Sequence, residues 1–374
     1  MKISTLPPSL TPKPLPRPTL EAPRPEPTPQ DEITWSEFKK NPNFTPATLI
    51  SVSAEGKWHL GGVRWGFDEV GASSRDWKPR FKDITVDPKD IKEVYIAVEP
   101  FAPEWIAGHG EAVLEFHKPM TNADGEQDNR LVISLEAWTR PDDSYGLLKG
   151  MKKNFGVIYQ LGTFSDRVQR QCRKEGRPIV LHRLNLTQEQ KEQFVQVSLK
   201  EAVEGRTGEF YNTLTNSCFA AQVANLNQVL PENKQIHRWT NWLGLPKLSA
   251  TIPGTAGLVL ERYHLRTPDS PIEIVPDARL HPEATSLKPR GWAAQVTQKD
   301  WWGTACRLTG ASAGVALGAS LAGTPAALLG GLVGSYVAGV AGDHARILNS
   351  SERVSPDAFY PAHVQASLNN PPSV

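Results

Sequence analysis

A cysteine at the start of a helix and a histidine between two glycines could together carry out nucleophilic chemistry. Cys218 lies in "TNSCFAAQVANLNQVL", where apolar residues recur at helical spacing, so its thiol falls in the first turn. The free N–H groups of that turn favour a thiolate and can also stabilise the oxyanion that forms when a thiolate attacks a carbonyl. The alternative is a buried helical cysteine with no chemical role.

A nucleophilic thiol also needs a base, and His109 stands out among nine histidines. In "WIAGHGEAVLEF" it is flanked by glycines that leave space for a reacting group, and it leads directly into a strand. His117, at the end of the same strand, and the more distant His182 are competing candidates. A surface histidine in a turn is the alternative without function.

A third polar group should orient the imidazole and fix its tautomer. Glu136, in the apolar strand "LVISLEAW", is costly to bury without a partner, which favours either this role or an ion pair with Arg140 or Arg183. Asn216 and Ser217 precede the cysteine and are both good helix-capping residues, so they are candidates for the cap and the oxyanion site.

The composition describes a globular protein and excludes few function classes. Hydrophobic residues make up 39%, charged residues 22%, and the formal net charge is +1, which gives no reason to expect a nucleic-acid partner. Three cysteines without a CxxC pair favour neither a disulfide framework nor a zinc site, and no motif calls for a cofactor. Prolines occupy the place where a cleaved secretory signal would have its apolar segment, so no such signal is expected and the compartment stays open.

Changes in amino-acid composition and pattern divide the chain into five parts. Ten prolines in the first thirty positions predict a disordered arm over residues 1–31. An α+β domain is expected over residues 32–250, a connecting region over 251–306, a glycine-rich helical hairpin over 307–343, and a tail over 344–374. Trp239 and Trp242 lie in a segment, residues 232–295, whose role the sequence does not indicate.

The α+β domain is expected to contain an antiparallel sheet and two helices. The capping box Thr187–Gln190 opens the first helix, and Cys218 opens the second. A turn at Asp124-Gly125 predicts a hairpin between the second and third strands. The predicted strands are Glu93–Phe101, Ala112–His117, Leu131–Trp138, Gly156–Gly162 and Pro178–Leu186.

Several of these segments resemble one bacterial family, the Lnb N-terminal periplasmic domain. The run "EFYNTLTNSCFAAQVANLN" is similar to its cysteine box, usually EFYNTLTNNCTT, and "IAGHGEAVLEF" and "LVISLEAW" are similar to its histidine box and its S-x-E-A strand. The similarity covers roughly residues 90–230. Three positions depart from the pattern: Ser217, the pair Phe219-Ala220, and Trp138.

The family in turn resembles circularly permuted papain-like proteins of the NlpC type. The resemblance implies a permuted papain-like fold with a nucleophile helix, and a Cys218–His109 dyad with Glu136 as the third group. It implies a cysteine-dependent hydrolase or acyltransferase acting on an amide or ester of a peptide, the cell wall or a lipid.

The last feature is an uncharged run from Leu308 to Gly342. Glycines at four-residue spacing let two helices approach closely, and Thr324-Pro325 divides the run, which favours a hairpin that lies either in lipid or against protein. Membrane association and self-association are both expected possibilities. An alternative function follows, in which the papain-like domain only binds and the hairpin makes the protein membrane-active or a scaffold. A role as a secreted bacterial effector is compatible with either function.

Overall fold

The computed structural model describes residues 28–69, 77–101, 107–146, 149–237, 252–284, 287, 292–297, 299, 301–361 and 365. The fold is mixed α and β, with a ten-stranded sheet. The strands are β1 Thr48–Val52, β2 Trp58–Glu69, β3 Trp77–Val86, β4 Ile91–Pro100, β5 Gly108–Thr121, β6 Gln127–Trp138, β7 Gly156–Thr163, β8 Ile179–Arg183, β9 Ile272–Ile274 and β10 Glu352–Val354. The helices are α1 Pro29–Phe38, α2 Phe164–Val168, α3 Gln188–Val203, α4 Cys218–Val229, α5 Ala256–Arg262, α6 Trp292–Thr297 and α7 Trp302–Asn349.

The sheet is mixed, which corrects the prediction of an antiparallel sheet. Its order is β1-β2-β7-β6-β5-β4-β8-β9-β10, with β3 paired to β2. The central strands β7, β6, β5, β4 and β8 are antiparallel. The pairs β2–β7 and β9–β10 are parallel, because long intervening segments, which for β9–β10 include α7, can return the chain in the same direction.

The five predicted strands are confirmed as β4 to β8, and the alternation of side chains explains how the sheet is covered. Val94, Ile96 and Val98 of β4 face a core formed with α3 and α4. Tyr95 and Ala97 face the other side, where α2 packs. Each strand therefore contributes side chains to two different environments.

Local signals set the boundaries of several elements. Both hydrogen bonds of the predicted capping box form, from Gln190 N to Thr187 Oγ1 at 3.2 Å and from Thr187 N to Gln190 Oε1 at 3.0 Å. The predicted turn between β5 and β6 is also present, with Gly125 at a φ of +82°.

Strands β1 to β3 were not predicted. The alternation in β2, "WHLGGVRWGFDE", is interrupted by glycines, and the registers on both of its sides shift at irregularities. Gly62 and Gly66 have φ values of +74° and +101°, which favour glycine and are typical of bulges.

The helix α1 corrects the extent of the proline-rich arm. It begins at Pro29, within the predicted segment 1–31, because proline is tolerated at the first position of a helix. Trp35 and Phe38 of α1 pack with Trp138 and Ile158 in a small buried cluster. Residues 1–27 lie outside the described part of the chain.

The glycine-rich segment lies within α7, whose two halves contact each other in antiparallel directions. Trp302 Nε1 donates to the carbonyl oxygen of Gly342 at 2.9 Å, although a straight helix would separate these residues by about 60 Å. A Cβ atom added at Gly314 would overlap the carbonyl oxygen of Gly330. In the residues that the structure describes, no helix is both long and apolar enough to cross a membrane.

The connecting region joins the sheet to α7. β9 extends the sheet beside β8, and α5 packs against α7, where Arg346 pairs with Glu261 at 2.8 Å. Trp239 and Trp242 lie outside the described ranges.

Candidate functional site

The sheet places three ionisable side chains in one row on the face covered by α2. Glu99 of β4 pairs directly with His109 of β5. The register that pairs Ala112 with Ile133 places Glu136 of β6 on the other side of His109. Because strand side chains alternate, all three point to the same face.

Cys218 reaches this row from the opposite face of the sheet. It is the first residue of α4 and is 2% exposed, and the N–H of Gly110 donates to its Sγ at 3.3 Å. A Cβ added at Gly110 would lie 3.1 Å from the Cβ of Phe219, so the absence of a side chain at Gly110 lets the start of α4 sit directly on β5. The imidazole of His109 lies close enough to act on the thiol, because its charge and hydrogen-bonding capacity lower the pKa of Cys218.

The hydrogen bonds around His109 determine which nitrogen can accept the thiol proton. Ser134 Oγ donates its single hydrogen to Glu136 Oε1 at 3.0 Å, and His109 Nε2 lies 2.6 Å from Ser134 Oγ and 3.3 Å from Glu136 Oε1. Nε2 therefore carries a hydrogen that it donates to these acceptors. Nδ1 is then the nitrogen without a hydrogen in the neutral imidazole, and this tautomer leaves it able to accept a proton.

The electrostatics of the three groups favour an ion pair between thiolate and imidazolium. Burial raises the pKa of Cys218, but the charge and hydrogen bond of His109 outweigh burial and lower it from its ordinary value. Burial lowers the pKa of His109, but Glu136 and Cys218 raise it well above its ordinary value. Burial likewise opposes ionisation of Glu136, yet His109 and Arg167 hold its pKa well below the usual range.

Of the two residues before the cysteine, only Ser217 caps α4. Its hydroxyl accepts a hydrogen bond from the N–H of Ala220 at 3.5 Å. The side chain of Asn216 donates instead to Glu209 Oε1 at 2.9 Å and to the carbonyl oxygen of Phe210 at 3.1 Å. Asn216 thus closes the loop that leads into the helix.

A cluster of charged side chains lies between α2 and the row that contains Glu136. Arg167 of α2 contacts Glu136 Oε1 at 3.3 Å, Glu111 Oε2 at 2.7 Å and Glu99 Oε1 at 3.3 Å. Burial, opposed by Arg167, raises the pKa of Glu111 to about 8. The row of residues is therefore backed by an arginine shared among three carboxyl groups.

The structure does not bring the competing histidines to Cys218. His117 is exposed, eight residues along β5 from His109, a distance of about 26 Å in a strand. His182 is buried in β8, where burial, with smaller effects from Arg266 and His344, lowers its pKa to about 3. The two alternative partners predicted for Glu136 lie elsewhere. Arg140 stacks on the ring of Phe38, and Arg183 forms ion pairs with Asp269 and Glu93.

A cleft lies on the loop that leads into α4, lined by residues 151–153 and 205–212, and neither Cys218 nor His109 is among its lining residues. Its volume is about 420 Å³, and Tyr211 lines it while placing its hydroxyl 3.9 Å from Cys218 Sγ. Lys152, Lys153 and Arg206 give the cleft a basic lining, although Arg206 is paired with Glu201 and Glu209. Among the described residues no cluster of histidine, cysteine or carboxylate side chains could hold a metal ion.

The sequence reasoning missed Ser134, Glu111, Arg167 and Tyr211. Two of them could have been predicted from strand periodicity. Ser134 is two residues before Glu136 and Glu111 is two residues after His109, so each lies on the same face of its strand as a predicted site residue. Tyr211 lies within the cysteine box but was not singled out. Nothing local marks Arg167, which follows the next strand and reaches the site only through tertiary packing.

Comparison with known protein families gives one match, to the Lnb N-terminal periplasmic domain, over residues 77–244. Comparisons with curated proteins and with solved structures give no match. The matched span runs from β3 through α4 and contains Cys218, His109 and Glu136. The resemblance over residues 90–230 is thus confirmed by the match of residues 77–244 to the Lnb N-terminal periplasmic domain.

Proposed function

We propose that residues 77–244 form a cysteine-dependent hydrolase or acyltransferase with a permuted papain-like arrangement. The observation that supports this is the arrangement of Cys218 at a helix N-terminus, where His109 acts on its pKa, and the hydrogen bonds that link His109 through Ser134 to the Glu136 carboxylate. The order histidine, carboxylate, cysteine along the chain accords with the permuted arrangement.

The proposed reaction is acyl transfer through a thioester. The Cys218 thiolate attacks the carbonyl carbon of an amide or ester, and a C–S bond forms while the carbonyl oxygen becomes an oxyanion. The oxyanion collapses, the C–N or C–O bond breaks, and His109 gives its proton to the leaving group. His109 then takes a proton from water or another acceptor, which attacks the thioester and releases the thiolate.

The first test is the pH dependence of thiol alkylation, followed peptide by peptide by mass spectrometry on the full chain. Cys218 should react with iodoacetamide well below the ordinary thiol range, and His109→Ala should abolish that low-pH reaction. Cys306→Ser is the control, because burial raises the pKa of Cys306 and its loss should leave Cys218 unchanged. A Cys218 that reacts as slowly as Cys306, and that ignores His109, contradicts the proposal.

The second test is capture of the acyl group. Incubation with p-nitrophenyl acetate should add one acetyl group to Cys218 and release a burst of nitrophenol equal to the enzyme. Neither event should occur in Cys218→Ala. A burst that survives this substitution would assign the esterase activity to another group.

A second candidate function concerns the outer surface of α7. Glycines occupy the contact between its halves, whereas the large apolar side chains Leu308, Leu317 and Leu332 are 64%, 63% and 72% exposed. Helix pairs in water bury their large apolar residues, and pairs in lipid place small residues inside. The hydroxyls of Ser312 and Ser320 donate to carbonyl oxygens of their own helix, so they need no water.

We propose that this surface inserts into the interfacial region of a lipid bilayer. The full chain should float with phosphatidylcholine vesicles, and Leu317→Glu combined with Leu332→Glu should abolish flotation while leaving Cys218 alkylation intact. Leu280→Glu, at an apolar residue 48% exposed outside α7, is the control and should float normally. A wild-type chain that stays in solution and instead dimerises through α7 would contradict lipid insertion.

A further inference from the structure

Arg167 occupies a position that the acyl-transfer chemistry does not itself use. It lies on α2, its side chain is 5% exposed, and it faces the row of ionisable residues from the side opposite α4. Its Nη2 is shared between Glu111 Oε2 and Glu136 Oε1, and its Nε contacts Glu99. One guanidinium therefore joins the three strands β4, β5 and β6.

Arg167 contacts the same oxygen of Glu136 that lies next to His109. Glu136 Oε1 is the atom within 3.0 Å of Ser134 Oγ, within 3.3 Å of His109 Nε2 and within 3.3 Å of Arg167 Nη2. A carboxylate held from two sides cannot rotate without breaking a charge-assisted hydrogen bond. The orientation of the imidazole then depends on a residue whose ion pairs are with Glu99, Glu111 and Glu136 and not with the thiol.

We propose that Arg167 is a positioning residue that holds Glu136 against His109 and so keeps the Cys218–His109 pair in its ionised, reactive form. The proposal rests on the function inferred above for Cys218. A neutral side chain at position 167 would leave three carboxyl groups together with reduced compensation, which a buried site does not tolerate without taking up protons.

Other charges around the cluster set the expected direction of the change. The charged and titratable groups that face it from the neighbouring elements are Glu99 of β4, His109 and Glu111 of β5, Glu136 of β6, Asp166 and Arg167 of α2, Arg170 and Cys172 after α2, Arg64 of β2, Cys218 of α4, and Tyr145 and Tyr211 beside Cys218. Loss of a buried positive charge disfavours every deprotonated form near it. The thiolate of Cys218 should then form at higher pH.

The test compares the pH profiles of Cys218 alkylation in the full-length chain. Arg167→Met should move the acid-side limb upward by about one pH unit, which is about a tenfold loss of rate on that limb. Arg167→Lys keeps the charge but cannot span three carboxylates, so it should keep the limb and lower the plateau rate about tenfold. The matched control is Arg64→Met, because Arg64 is equally buried and pairs with Asp166 at 2.8 Å.

Three outcomes decide the proposal. An Arg64→Met variant that shifts the limb as far as Arg167→Met would show a general effect of lost buried charge and overturn it. Folded Arg167→Met and Arg167→Lys variants that keep the limb and the plateau of the wild type also overturn the proposal. In that case the low-pH alkylation of Cys218 in the wild type would still support Cys218 as the nucleophile. If Arg167→Met fails to fold, the double variant Arg167→Met/Glu111→Gln is measured in its place, because it removes one of the carboxyl groups left without a partner. Arg167→Lys is measured alongside it. A plateau rate in Arg167→Lys equal to that of the wild type would refute the positioning role.

Discussion

The packing of α4 on β5 leads to a prediction about Gly110→Ala. The added Cβ would lie 3.1 Å from Phe219 Cβ and 3.4 Å from Phe219 Cα, inside ordinary van der Waals contact. Phe219 is fully buried in the core between α4 and the sheet, so the helix must move by a few tenths of an ångström rather than the side chain alone. Such overpacking costs typically about 1–3 kcal/mol.

We expect Gly110→Ala to lower the free energy of unfolding by about 2 kcal/mol and Tm by about 4–8 °C for a domain of this size. The displaced helix carries Cys218 away from His109, so the acid-side limb of Cys218 alkylation should also move to higher pH. Urea unfolding followed by circular dichroism gives the first quantity, and site-resolved alkylation gives the second.

Gly205→Ala is the control for the general effect of replacing glycine. A Cβ at Gly205 meets nothing within 4 Å, and the substitution should be neutral or stabilise by about 0.4–1 kcal/mol through the unfolded chain. A Gly110→Ala variant that is as stable as the wild type and alkylates at the same rate would refute the close approach of Phe219 to β5.

Three further predictions concern the same domain. Thr187→Ala removes the capping box of α3 and should cost about 1 kcal/mol in urea unfolding, whereas unchanged stability would show that the cap is dispensable. Tyr211→Phe removes a hydroxyl that lowers the pKa of Cys218, so the alkylation limb should move to higher pH, and an unmoved limb contradicts this contact. Glu136, whose pKa is lowered on folding, contributes stability above its unfolded-state pKa and loses it as pH falls through its folded-state pKa. The stability difference between wild type and Glu136→Gln should therefore shrink in acid, as measured by urea unfolding from pH 6 to pH 3.

The sequence predicted the elements whose signals are local. The five strands β4 to β8 have alternating or continuous apolar runs, and α3 and α4 begin at polar residues that cap them. Short-range hydrogen bonding and side-chain periodicity mark such elements within a few residues of sequence. The candidate residues Cys218, His109 and Glu136 were found in the same way, from a helix start, a glycine-flanked turn and a charge in an apolar strand.

Long-range packing decided what the sequence did not show. The register of β4, β5 and β6 places Glu99, His109 and Glu136 in one row, and a shift by one residue would turn each side chain to the other face. The bulged strand β2, whose glycines interrupt its pattern, takes its place only by pairing with β1, β3 and β7.

The candidate site shows the same division between local and long-range information. The sequence by itself determined the chemical types, a thiol, an imidazole and a carboxylate, because these are fixed by the residues. Only the tertiary structure decided that His109 rather than His117 or His182 meets Cys218, since that depends on which end of β5 lies against α4. Arg167 joins the site for the same reason: α2 packs across three strands that are distant in the chain, and no local pattern encodes that contact.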